Sequence, residues 1–174
     1  MSYWRFAGLA ACLFIGYINP TLANIVADPG FEDCTYDTET PPPDWTATSN
    51  PICTTLFPNS GSYETLFFAW SGSLSQSIAP TIGDSYDFSF WILNGNGNNP
   101  EFTGSFGADE VLDYTASPPY LTRTFEDFTV LATASLTTIS FDNVGSQDFF
   151  LDDVSVTPLP GGGTTVPEPA TLPC

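Results

Sequence analysis

From residue 63 to residue 156 the chain repeats one pattern: short stretches in which apolar and polar side chains alternate, separated by turn-forming residues. SYDFSFWIL (85 to 93) shows it best. Tyr86, Phe88, Phe90 and Ile92 fall on one face, and Asp87, Ser89, Trp91 and Leu93 on the other, because successive side chains of a strand point to opposite sides. Comparable runs are YETLFFAW (63 to 70), SLSQSIA (73 to 79), EFTGSF (101 to 106), EVLDY (110 to 114), FEDFTVLA (125 to 132), LTTISFD (136 to 142) and FFLDDVSV (149 to 156). Between them lie PNSGS, PTIGD, NGNGNNP, ASPPY and NVGSQD, which carry the chemistry of tight turns and loops. No window past the first 23 residues sustains a helical period. Many short strands without intervening helices predict an all-β sandwich, here a jelly roll of about eight or nine strands.

The alternation also sets the domain limits. The folded unit is expected over residues 24 to 158, since Thr157 onward is too rich in proline and glycine to pack regularly, leaving 159 to 174 as a flexible tail. TYDTETPPPDWTATSNPIC (35 to 53) interrupts the pattern near the start and is expected as a long irregular loop pinned by Trp45.

Charge narrows the partners. Twenty acidic residues stand against Arg5 and Arg123, with no histidine, for a formal net charge of −18. Such a surface repels phosphate and anionic lipid and lacks the cations that nucleic-acid binding requires, so nucleic acid is excluded. A cation bound through oxygen, calcium above all, suits it better.

Arg5 precedes the apolar run FAGLAACLFIGYI (6 to 18), and TLA (21 to 23) supplies small residues ahead of Asn24. Residues 1 to 23 therefore read as an export signal, too short to serve as a membrane span, so no span is expected in the mature chain. In an oxidising compartment Cys34 and Cys53 are expected to pair; two free buried thiols are the alternative.

Catalysis has little to draw on. Without histidine, lysine or an activated thiol, only carboxylates remain for acid and base work, and no pair of them is marked out by spacing. Asp152 and Asp153, as neighbours in a strand, are expected on opposite faces. Binding is the better reading. Trp91, with Ser89 and Asp87 on the same face, forms a candidate sugar platform: an aromatic face for the C–H groups of a pyranose and polar groups beside it. The competing reading is that another segment covers Trp91.

Asp152 shares parity with Phe150, Val154 and Val156, which predicts an inward carboxylate at the edge of the sandwich. Glu32, just after a turn-like DPG, becomes its companion if the first and last strands are neighbours. Two approaching carboxylates need a shared proton or a cation, unless each simply accepts backbone amides.

NIVADPGFED (24 to 33) and FFLDDVSV (149 to 156) resemble the two ends of galactose-binding-like jelly rolls, the fold of many carbohydrate-binding modules. PNSGSYETLFF, GSLSQSIAPTIGDSYDFSFWI and LTRTFEDFTV follow the order seen in exported bacterial proteins that carry the PEP-CTERM sorting signal, and VPEPAT is similar to the opening of that signal. The resemblance implies a structural calcium site built from Glu32, Asp152 and backbone oxygens near Asp28 and residues 60 to 63. It also implies an exported, non-catalytic surface or exopolysaccharide-matrix protein of a Gram-negative bacterium. A true carbohydrate-binding module is the alternative, and a small glycosidase or lyase a more distant one. Val166, Pro167, Glu168 and Pro169 would address an exosortase-type sorting machinery. VPEPATLPC stops short of the apolar span and basic cluster that complete the signal, so a released or incompletely sorted protein is expected.

Overall fold

A computed structural model of the chain describes residues 22–35, 42–49, 51–69, 72–96, 101–115 and 120–160. Among these residues there are ten strands and no helix: β1 (Thr46–Thr48), β2 (Ile52–Thr54), β3 (Glu64–Phe67), β4 (Gly72–Ile78), β5 (Ser85–Asn96), β6 (Phe102–Phe106), β7 (Asp109–Tyr114), β8 (Arg123–Leu131), β9 (Thr137–Asn143) and β10 (Asp148–Pro158). They form two antiparallel five-stranded sheets. The first runs β1-β4-β9-β6-β7 and the second β2-β3-β10-β5-β8, a jelly-roll sandwich as the alternation predicts.

Each of the eight alternating segments became a strand. The two additional ones, β1 and β2, lie inside the stretch expected to be irregular, and at three residues apiece they are too short to display a period. They are strands because β4 and β3 offer open edges to pair with. NGNGNNP also departs from expectation: Asn94 and Asn96 belong to the long β5, and Asn94 is buried.

Period two decides what is buried. The inward residues of both sheets form one core in which phenylalanine dominates, including Phe67, Phe88, Phe90, Phe102, Phe141 and Phe149, each without solvent exposure. Phe141 of β9 is its hub, with ring centroids 5.0 Å from Phe90, 6.0 Å from Phe88, 6.3 Å from Phe102 and 6.4 Å from Trp45. Trp45 also meets Phe31 at 5.4 Å and donates its indole N–H to the Asp28 carbonyl, so the tryptophan fixes the segment before β1 against the first sheet. On the far side of the sandwich, the Tyr114 hydroxyl on β7 donates to Glu126 on β8 and ties the edge of one sheet to the edge of the other. Burial and the Glu126 charge both push that phenol's pKa up.

The chain's beginning lies along its last strand. Ile25 N–H donates to Val156 O (3.0 Å) and Val154 N–H to Pro29 O (2.8 Å), while the Asn24 side chain both receives the Val156 amide and donates to Val154 O. Cys34 and Cys53 are bonded, with Cα atoms 5.8 Å apart, and this link joins the segment that follows the N-terminal run to β2. Residues 1 to 21, carrying most of the expected export signal, and 161 to 174, carrying Val166, Pro167, Glu168 and Pro169, lie outside the described residues.

Candidate functional site on the outer face of the second sheet

The register of β10 overturns the parity argument for Asp152. Leu151 pairs with Ile92 and Asp152 with Trp91, but the next partners are Ser155 with Ser89 and Val156 with Phe88. The strand bulges between Asp152 and Ser155, and Asp153 takes a φ of 50° there. One extra residue reverses the parity of everything before it. Val154 and Val156 face the core, whereas Phe150 and Asp152 face outward, on the side of Leu66, Leu93 and Trp91. The same bulge corrects the expectation that Asp152 and Asp153 diverge, because both carboxylates reach one turn.

That turn, residues 58–63, folds over the outer face and hands its amides to the acids. Asp152 Oδ2 accepts from Asn59 N (2.6 Å) and Ser60 N (3.2 Å), and its Oδ1 accepts from Asp153 N (2.7 Å). Asp153 receives the Asn59 side-chain amide at 2.7 Å and the Ser60 hydroxyl at 2.5 Å. Glu32 Oε1 accepts from Ser62 N and Tyr63 N at 2.7 and 3.0 Å. Gly61, at φ +58°, passes so close to Glu32 that a Cβ there would lie 2.1 Å from its oxygen, so any other residue would displace the Glu32 carboxylate from these amides and strain the backbone. Burial, followed by the neighbouring Asp153 charge, pushes Asp152 up to about 6 despite these amides.

Glu32, Asp152 and Asp153 all border Gly30: a Cβ there would stand 3.8 Å from Glu32 Cγ, 3.9 Å from Asp152 Oδ1 and 3.6 Å from Asp153 Oδ1. Asp28 does not join them. Its Oδ1 accepts the Asp33 amide at 3.3 Å and its carbonyl is taken by Phe31 N and Trp45 Nε1. Desolvation raises its pKa, with the Asp33 and Asp44 charges adding to the rise. Among the described residues, no three acidic or cysteine side chains are spaced to share one metal ion.

Sequence reasoning missed Glu64. It lies on the outer face of β3 with no solvent exposure, receives the Phe57 amide on Oε1 at 2.6 Å, and has Arg123 Nη2 3.8 Å from Oε2. Arg123, at the start of the edge strand β8, also donates to the Phe57 carbonyl, and the Phe57 ring meets Phe150 edge-on at 5.1 Å. Arg123 thus straps residues 55–57 across the small apolar patch of Ile52, Leu66, Leu93 and Phe150. Burial pushes Glu64 up to about 7, with Asp152 adding to the rise and the Phe57 amide and Arg123 opposing it. The signal was available in YETLFF, where a lone charge sits in an apolar strand, and buried charges are uncommon without a task or a partner.

The strap and turn cover only the β2, β3 and β10 side of this face. Toward β5 and β8, among the described residues, Trp91, Phe125 and Asp127 keep solvent access, whereas Ser89 is buried. Trp91 is opposite Phe125 in the register, with ring centroids 5.1 Å apart and planes tilted by 47°. Trp91 is half-buried and Phe125 is 49% exposed. One step along the strands Ser89 faces Asp127, and one further Asp87 faces Thr129, so Trp91, Ser89 and Asp87 line up as a strip with Phe125 and Asp127 beside them. Of the described part of the 35-to-53 segment, Trp45 and β1 pack on the first sheet, and Ile52 and Cys53 lie in β2 at the opposite edge of the second sheet from β8. Phe125 escaped notice because the register between two strands, not either strand's own period, brings it to Trp91.

No protein-family model matches the chain, and no curated protein does either. Solved structures do. A family 61 carbohydrate-binding module bound to β-1,4-galactotriose is 19% identical, with 79% of this chain and 99% of that one covered at a TM-score of 0.57. The C-terminal family 22 carbohydrate-binding module of a Clostridium thermocellum xylanase is 14% identical, covering 78% and 93% at 0.55. A family 35 module from Clostridium thermocellum is 17% identical, covering 65% and 91% at 0.51. An α-L-arabinofuranosidase matches over only 26% of its length, with 79% of this chain covered at 13% identity and a TM-score of 0.58. The fold of this chain is the jelly-roll sandwich of these carbohydrate-binding modules.

Proposed function

We propose that the protein is an exported, non-catalytic glycan-binding module whose ligand lies on the open half of the outer face, across Trp91 and Phe125. The observation that carries this reading is the aromatic pair itself: two adjacent rings left accessible on a sheet whose other half is covered by its own chain. Sugar rings stack on such surfaces through their C–H groups, and Asp127, two residues from Phe125, and Asp87, four residues from Trp91, flank the rings as hydrogen-bond acceptors, with the buried Ser89 between them. The likeness to modules that bind polysaccharide supports the reading, as does the dense acidity, which suits a surface exposed outside the cell. A matrix-scaffold role remains compatible with weak binding at the same face.

The Asp87–Asp127 pair is not spaced for glycoside hydrolysis. Asp87 and Asp127 approach within hydrogen-bonding reach of each other, whereas a glycosidase needs its two carboxyl groups about 5 Å or more apart. Replacement of Trp91 by alanine is expected to weaken retention by a polysaccharide in affinity electrophoresis at least tenfold while leaving the melting temperature within a few degrees. Equal retention of the variant and the parent on every neutral and acidic polysaccharide that retards the parent would refute the platform.

Calcium belongs to the same proposal as a stabiliser. The side chains are of the right chemistry, if not grouped as a ready three-carboxylate site: Glu32, Asp152 and Asp153 all border Gly30, and Arg123, the one basic residue among those described, is turned to Phe57 and Glu64. Glu32, Asp152 and neighbouring backbone carbonyls would hold the ion; Asp28 would contribute at most its backbone. Chelation is expected to lower the melting temperature by several degrees and added calcium to restore it. An unchanged transition after chelation of a calcium-loaded sample would leave the amide bonds of residues 59–63 as the sole clamp.

A further inference from the structure

We infer that this face recognises the end of a glycan chain and not its interior: the structure assigns the stacking position on Trp91 to a terminal sugar unit. The inference rests on the glycan-binding reading and deepens it. Trp91 sits at the inner corner of the accessible strip. The pairing of β5 with β10 and β8 sets Asp152 on one side of it and Phe125 on the other, and along β5 its neighbours on the same face are Leu93 and Ser89. Phe150 and Arg123 flank Leu93, while Ser155 and Asp127 flank Ser89. A straight chain lying over Trp91 must therefore follow one of four lines: Leu93 to Ser89, Asp152 to Phe125, Phe150 to Asp127, or Arg123 to Ser155.

The protein closes each of these lines at its first end. Leu93 and Phe150 are buried beneath the strap, and the Phe57 ring meets Phe150 edge-on at 5.1 Å, so the strap stands a side-chain layer above the sheet. Over Asp152, which has no solvent exposure, lies the 58–63 turn, with the Asn59 amide 2.6 Å from its carboxylate. At Arg123 the guanidinium reaches inward to the Phe57 carbonyl and Glu64, which closes the gap between the strap and the edge strand. The far ends differ: Phe125 and Asp127 are exposed, Ser155 is half-buried, and the last two flank the buried Ser89. An interior sugar unit is joined to its neighbours by bonds leaving on roughly opposite sides, so stacking it on Trp91 would drive one neighbour into the strap or the turn. A terminal unit has one such bond, and its chain can leave over Phe125 at the sheet edge. Discrimination of this kind works by clash with the wrong ligand. The wall is also firm, because the buried carboxylates of Glu64 and Asp152 hold the amides of Phe57, Asn59 and Ser60.

The probes are a soluble β-1,4-galactan, a soluble β-1,4-xylan and a soluble mixed-linkage β-glucan, each titrated calorimetrically against the full chain, first whole and then after limited random scission that multiplies the chain ends at constant mass. For whichever of them binds, the number of binding sites per unit mass is expected to rise in proportion to the number of ends, with the affinity per site unchanged. A number of sites that stays constant per unit mass while the ends multiply means interior binding and overturns this inference alone. Trp91→Ala, with folding checked by its melting temperature, is expected to lose the end-dependent binding. Phe125→Ala, at the exposed sheet edge, is expected to weaken it at least tenfold and serves in its place should Trp91→Ala unfold. Undiminished end-dependent binding by folded variants overturns the assignment to Trp91. Failure of all three glycans to bind, whole or cut, overturns the glycan reading beneath it.

Discussion

Replacement of Asp152 by alanine is expected to destabilise the domain by about 3–5 kcal/mol, a fall in melting temperature on the order of 10 °C. The residue is completely buried and receives three backbone amides, those of Asn59, Ser60 and Asp153. Alanine leaves all three without an acceptor at the place where the bulge of β10 meets the covering turn. Each orphaned amide that water cannot reach costs about 1–3 kcal/mol. Asp153→Ala is the informative contrast: its carboxylate is bonded only by the Asn59 and Ser60 side chains at the surface, so a loss below about 1 kcal/mol is expected. Asp152→Asn keeps one acceptor oxygen and should fall between. Urea midpoints at unchanged slope measure the three differences. An Asp152→Ala midpoint equal to that of the parent would mean that the turn draws nothing from this carboxylate.

The second large effect is an inverted pH dependence. Glu64 is held near 7 in the folded protein by burial, against an ordinary value of 4.5, so between those limits the folded state binds the proton that the unfolded state has released. Stability is then greatest below about pH 4.5 as far as this residue is concerned, and declines as pH rises through 7, because ∂ΔG/∂pH follows the excess of protons on the unfolded chain, here negative. Asp152, pushed up to about 6, acts in the same direction over a lower window. For Glu64 alone the decline by pH 8 is on the order of 3 kcal/mol, with the opposing Arg123 charge already included in the position of its pKa. Glu64→Gln removes the titrating group while preserving an acceptor for the Phe57 amide. Its chelator-treated melting curve should be flatter than the parent's between pH 5 and 8 and lie above it at pH 8. Parallel profiles for parent and variant would show that Glu64 is already ionised at little cost.

Both effects arise where sequence reading was weakest. The eight alternating segments translated into strands because alternation is local: a strand with one buried face has to write that face into every second residue. The core could be read in the same way, and Phe88, Phe90, Phe141 and Val156 are where their parity puts them. Asp152 was misplaced because parity carries across a strand only while the pairing is unbroken, and nothing in FFLDDVSV announces that Asp153 will adopt a left-handed conformation. Glu32 and Asp152 were expected near each other from the neighbouring of first and last strands, and the hydrogen bonds from Ile25 and Val154 supply that neighbouring.

For the binding face, Trp91, Ser89 and Asp87 could be picked out on one side of β5, yet whether that side met solvent could not. The period of a strand says that two faces differ; it does not say which segment of chain will lie over the polar one. Here residues 55–63 cover Leu66, Phe150 and Glu64, held by Arg123 and four carboxylates, and stop short of Trp91. Phe125 and Asp127 join the strip only through pairing between β5 and β8, at a separation of more than thirty residues. The sequence by itself determined the class of fold, eight of the ten strands among the described residues and the inward phenylalanines, all of which follow from local periodicity. Tertiary structure alone decided which carboxylates meet, which are buried and where the outer face stays open, because these depend on register, on one bulge and on which loop covers which strand.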